Sequence, residues 1–339
     1  MRVLARCGAV WACVALSVAC GTSSPGLTQL QTIDLANLSG VSGGEEIIAV
    51  QWIPFSGGQT LQVYRQDKTN PDRLLLAASL PLSGGYAIAK DVGVSPDWIV
   101  VGMTLVALSP SPTVVGQLNL GTDPATAFAI VADHAIARGT FLFVATGSIL
   151  RLYSLADPAH PALISSFDVS APVRAVAAVP AGFVAFADER VAGVSNPAQP
   201  VWNTRLDARL PFARKAVSSG AQVVIAGQGH IAGRSQVARV DATDPANASI
   251  VLSADDLPVE MIDFAWDGST TYLLFGPGTT TPGYNSSPML LLQENAGQLR
   301  SEGTSQVWPV YGGDRPTMVH AWNGHLYRAE IGMHVYRLP

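Results

Sequence analysis

Apolar residues recur at alternate positions in short runs along most of this chain, as in ILRLYS at 149–154, RKAVSS at 214–219 and QVARVD at 236–241. Period two is the signature of a strand with one buried face. Glycine, proline, asparagine and aspartate separate the runs, and 32 glycines with 23 prolines imply many tight turns between short elements. No capped stretch with a period of 3.6 residues stands out. DRLLLAASL, within 71–80, has helix-forming composition but occupies a position where other parts of the chain have a strand, so it is assigned as one.

Those positions can be compared because the pattern repeats. Residues 149–176, 190–216 and 236–264 each give an alternating run, a turn rich in proline and an acid or amide, and a second run, with looser copies at 61–90 and 288–320 and a shortened one at 105–120. The turn residues Asn70, Ser111, Asp157, Asn196, Asp244 and Asn295 set a spacing of about 45 residues, and all but Asn295 are followed by proline. An Asn or Asp side chain accepts from the backbone two residues on, and proline presets φ for the turn. Two further strand-like runs complete each copy, so the reading is an all-β chain folded as a β-propeller of four-stranded blades.

At the ends, MHVYRL (333–338) matches the run that opens a copy but lacks its successor, and TQLQTIDL (28–35) resembles the missing strand. Pairing them would close the ring and remove a sheet edge. Six internal copies and this composite blade give seven, with six or eight as alternatives according to how 36–60 is divided. A transmembrane β-barrel is the structural rival, since alternating runs and low charge suit one. Against it stand aromatic residues at 7% and prolines that recur within the repeat.

Composition narrows the partners. Charged residues make up 13% of the chain, against roughly a quarter in an ordinary soluble domain, and 25 acids face 20 bases for a net charge of -5. That balance excludes nucleic acid as a partner. The first twenty residues explain the cysteines. Arg2 and Arg6 precede an apolar stretch from Gly8 to Val18, and Ala19 precedes Cys20, the layout of an export signal over 1–19. All three cysteines, Cys7, Cys13 and Cys20, lie here, so a chain cut before Cys20 keeps one thiol. Leu16-Ser17-Val18-Ala19-Cys20 resembles a bacterial lipobox, departing from it in having Ser17 where leucine is usual. The resemblance implies lipid on Cys20, a short linker over 20–26, one domain over 27–339, and, with Gly21 after the cysteine, the outer membrane. An ordinary signal peptide cut after Ser17-Val18-Ala19 is the alternative.

The runs LRLYSLADPAHPALISSFDV, VAGVSNPAQPVWNTRLD and VARVDATDPANASIVLS resemble the LVIVD repeat, in register over about 61–338. The resemblance implies an exported seven-bladed propeller, often lipid-anchored, without a common activity. Several copies lack the aspartate that ends the first run, and the last has lost its prolines.

Candidate chemistry is sparse. GVSGG at 40–44 satisfies the nucleophile-elbow pattern around Ser42, but no helix follows. GQGHIAG at 227–233 approximates a dinucleotide fingerprint, yet a strand follows, so it reads as a blade hairpin. His320, His325 and His334 fall on three successive strands of one blade, without a shared orientation for zinc. Asp255, Asp256, Glu260, Asp263 and Asp267 lack the spacing of a calcium loop and are expected on a solvated face. Trp52, Trp98, Trp202, Trp308 and Trp322 are expected mainly between blades, with one or two free to line a binding mouth. No cofactor or metal is implied. The expected function is a monomeric binding or scaffolding module meeting an envelope protein or glycan and touching the membrane through its lipid only. The alternative is a lactonase-like or glycan-cleaving propeller with its site in the central channel.

Overall fold

The protein is described from a computed structural model over residues 28–33, 38–44, 47–52, 59–82, 92–124, 126–258, 261–275, 289–295, 298–305, 318–329 and 333–338. The signal, the linker and Cys20 lie outside these residues. The strands pair antiparallel into seven separate four-stranded sheets. Six are built from consecutive strands, over 38–82, 92–117, 134–168, 173–206, 212–257 and 261–305, termed here the first to sixth blades. The other is composite. Its strands Met318–Trp322, His325–Ala329 and Met333–Arg337 are completed by Thr28–Ile33, with Thr28 opposite Arg337 and Ile33 opposite Met333. Separate sheets exclude the single continuous sheet of a transmembrane barrel, and Leu74–Leu82 is a strand despite its helical composition.

The ring is held by apolar clusters, each joining two neighbouring blades, including one that joins Tyr327, Met333 and Val335 of the composite blade to Tyr64 and Leu74 of the first. Alternation accounts for this. In the fourth blade Phe183 and Ala185 face the third blade, while Val184 and Phe186 face the fifth. Between the third and fourth blades Phe143 stacks on Phe183 at 5.1 Å. Truncating a buried phenylalanine of this kind to alanine costs about 3–5 kcal/mol.

The repeat read from the sequence needs one correction. It opens on the third strand of a blade, so a copy straddles two blades: Ile149–Ser154 and Ala162–Asp168 end the third, and Val173–Val179 and Gly182–Ala187 begin the fourth. Its acid-proline turn therefore joins the third and outermost strands. Asn70, Asp157 and Asp244 accept from the amide two residues on, at 3.2, 3.1 and 3.2 Å. Asn196 instead takes a positive φ of 48°.

These turns also lean on the preceding blade. Asp244 bonds the Ser195 hydroxyl, which accepts the Ala246 amide at 2.9 Å. Asp72 receives His325 Nε2 at 3.0 Å and the Arg337 guanidinium, and these two donors hold its carboxyl below the usual range. Antiparallel connectivity places these turns and the hairpins joining first to second strands on one face of the ring, called the turn face. Thr28, opposite Arg337, enters there as well. The remaining connections, including 118–133 and the 229–234 hairpin, lie on the opposite face.

Candidate functional site

Among the described residues, those singled out from the sequence do not converge on one site. Ser42 lies within the extended strand Leu38–Gly44, opposite Ala49, rather than at a strand-to-helix turn. Residues 227–233 end the strand Gln222–Gln228 and turn back into Ser235–Asp241, the Gly229 amide donating to Arg234 O at 2.9 Å. His320, His325 and His334 occupy three strands of the composite blade. His320 lies over Gly43, where an added Cβ would meet its ring at 2.2 Å, His325 bonds Asp72, and His334 meets the Thr32 hydroxyl at 3.3 Å. No group of three histidine, cysteine or acidic residues suited to a metal occurs among the described residues.

Of the acidic stretch, Asp255 and Asp256 are exposed and Asp267 caps a turn through the Ser269 and Thr270 amides. Glu260 lies outside the described residues. Asp263 corrects the expectation of a solvated face. It sits on an innermost strand with its side chain 12% exposed and pairs with Lys215 Nζ at 3.1 Å. Lys215 belongs to the innermost strand of the fifth blade, Asp263 to that of the sixth. The ammonium also donates to Phe264 O at 3.0 Å and to Val319 O of the composite blade at 2.9 Å, while Asp263 accepts the Val319 amide at 2.8 Å. Three donors meet three acceptors, so the cluster ties three successive innermost strands and leaves neither charge poised for chemistry. Arg328, on the next strand outward, is also buried, at 1% exposure, and desolvation lowers its pKa to about 10.

The tryptophans divide as their surroundings dictate. Trp202 stacks on Phe167 at 5.3 Å and donates to the Ser165 hydroxyl, Trp266 is buried, and Trp98 donates across a seam to Gly139 O at 2.7 Å. Trp322 packs partly buried at the closing seam, whereas the Trp52 side chain and Trp308 lie outside the description.

A cavity of about 370 Å³ opens on the turn face between the third and fourth blades. Arg138 and Phe141 form one wall, Pro180, Phe183 and Pro197 the other, and Asp97 contributes from the second blade. Asp97 holds the third-blade hairpin by accepting the Gly139 amide at 2.9 Å. The Arg138 side chain makes no hydrogen bond or ion pair among the described residues. A cation at the rim, an aromatic floor and proline rings opposite suit a ligand with acceptor groups and a compact apolar body. Neither Arg138 nor Phe141 carries a motif that a single sequence reveals. Their signal is positional and needs the blades to be in register.

Fold and seams together define a β-propeller. No protein-family model matches the chain, and no curated protein matches it. Among solved structures it is similar to the β-propeller domain of Cps50 (Swd1) from Myceliophteria thermophila, at a TM-score of 0.59 and 9% identity, covering 93% of this chain and all of that one. It is similar also to Hsv2 from Kluyvelomyces marxianus, at 0.52 and 8%, covering 87% of this chain and 89% of that one. At such identities the likeness concerns fold alone.

Proposed function

We propose that this chain is a binding or scaffolding propeller of the bacterial cell envelope, anchored by lipid on Cys20, as the resemblance of its runs to the LVIVD repeat also suggests. The observation that carries the binding reading is a contrast within the ring. Lys215 and Asp263, which converge on the innermost strands of the fifth and sixth blades, satisfy each other, whereas the seam between the third and fourth blades leaves an open cleft beside Arg138, which is unpaired among the described residues. The anchor fits the topology. The first strand enters on the turn face at Thr28, and the eight residues from Cys20 span at most about 28 Å, which keeps the disc near the bilayer.

Two measurements on the full chain in a bacterial host test this. Cys20→Ser should abolish fatty-acid labelling and release the protein from the membrane fraction, and unchanged retention refutes the anchor. Crosslinking in intact cells should capture an envelope protein or glycan without turnover. Hydrolysis of an envelope substrate abolished by one point substitution would overturn the binding reading.

A further inference from the structure

Comparing seams in register shows why the cavity exists. Gly182 lies opposite Ser195 in the fourth blade, as Phe141 lies opposite Ser154 in the third, and Gly193 and Leu152 likewise correspond. In the fourth blade both positions are glycine, and the turn of the fifth blade fills the space. A Cβ on Gly193 would fall 1.8 Å from Pro245 O, and one on Gly182 would lie 3.4 Å from Pro245 Cγ. Pro245 is buried there, and Asp244 and the Ala246 amide are bonded to Ser195. In the third blade, Phe141 and Leu152 occupy the equivalent positions. Pro197 stays half-buried, and the Ser154 hydroxyl accepts the Ala156 amide of its own turn at 3.2 Å instead of holding a neighbour. The second blade shows another solution, with Trp98 at the matching place bonded across the seam to Gly139 O. The cavity at Phe141 is thus a site where the fold's own acid-proline turn does not seat.

We infer that this slot is a docking site for an Asx-Pro turn of a partner protein, its proline ring seated between Phe141 and Pro197 and its acceptor groups directed to Arg138. The neighbouring seam supplies the template, since Asp244-Pro245 is such a turn held against a preceding blade. Arg138 supplies donors matched to the side-chain and main-chain oxygens that such a turn presents. Asp97, the other charge in the lining, has one oxygen engaged by the Gly139 amide and can accept an amide of the incoming segment with the other. The inference rests on reading the ring as a binding module but not on its lipid anchor.

The probe is a fluorescently labelled peptide of sequence TDPANA, copied from residues 243–248, titrated by polarisation into the purified full chain in detergent. Saturable binding with a Kd below about 1 mM is expected, lost when the proline of the peptide is replaced by alanine. Arg138→Glu should weaken binding at least tenfold, and Phe141→Trp, which fills the slot as Trp98 fills its seam, should abolish it. Arg138 is partly exposed, so R138E decides the matter should the tryptophan variant fail to fold. No binding up to several millimolar, or binding indifferent to the peptide proline and to R138E, overturns the slot. If crosslinking to the envelope partner nevertheless persists in R138E, the binding module stands without this site. If crosslinking also fails in the parent chain, both fall.

Discussion

Replacing Lys215 by methionine tests whether the innermost cluster is structural. The substitution keeps most of the side-chain volume and removes the ammonium that bonds Asp263, Phe264 O and Val319 O. Asp263 is then left with the Val319 amide as its remaining charge-compensating partner, at 12% exposure. Removing one member of a buried pair costs about 3–5 kcal/mol, and partial exposure of both side chains argues for the lower figure, about 3 kcal/mol. For a body of this size that corresponds to a fall in Tm of about 5 °C, since unfolding entropy near 60 °C is about 2.1 cal/mol/K per residue. Lys215→Met with Asp263→Leu should recover at least half of the loss, because the stranded carboxylate is gone. Urea and thermal unfolding of the parent, both single variants and the double variant give the cycle. A single-variant loss below 1 kcal/mol, or strictly additive losses, would refute the account.

Other perturbations follow from the seams. Gly193→Ala places a methyl 1.8 Å from Pro245 O and should cost about 1–3 kcal/mol by displacing that turn, whereas Gly220→Asn, at a positive φ of 57° in open space, should cost well under 1 kcal/mol; chemical denaturation separates them. Gln31 accepts the Leu74 amide at 2.8 Å and donates to Leu74 O at 3.4 Å, so Gln31→Ala should raise the rate at which protease trims the first strand. Asp72 is held below its ordinary pKa by His325 and Arg337, so its contribution is complete above the unfolded value of about 3.8 and is lost as pH falls through the lower folded value. Melts of parent and Asp72→Asn should differ at pH 7 and converge towards pH 2, and a constant difference would refute the assignment.

The strands, the acid-proline turns and the composite pairing were legible because each leaves a local trace: alternation, a side chain that bonds two residues on, and a terminal run without its successor. The blade frame was less so. The repeat is most regular around the turn, which lies late in a blade, so the apparent start of a copy falls at the third strand. The burial of Asp263 was not legible either. Nothing near it marks the partner, since Lys215 lies 48 residues away on another strand. Arg138 and Phe141 were invisible for a related reason. A phenylalanine reads as core wherever it stands, and only the glycines at the corresponding places in the fourth blade show that it keeps a turn out.

The pairing of Thr28–Ile33 with Met333–Arg337 also governs the order in which the molecule can be made. Synthesis delivers the first strand hundreds of residues before its partner, so it waits as an unpaired edge while six blades form behind it. Bringing such distant segments together costs on the order of 5 kcal/mol in chain entropy, offset only when the closing apolar cluster assembles around Tyr64 and Met333. Loss of Met333–Arg337 would leave Thr28–Ile33 without a partner and His325–Ala329 with an open edge, two adhesive strand edges where the intact blade has its central pairing.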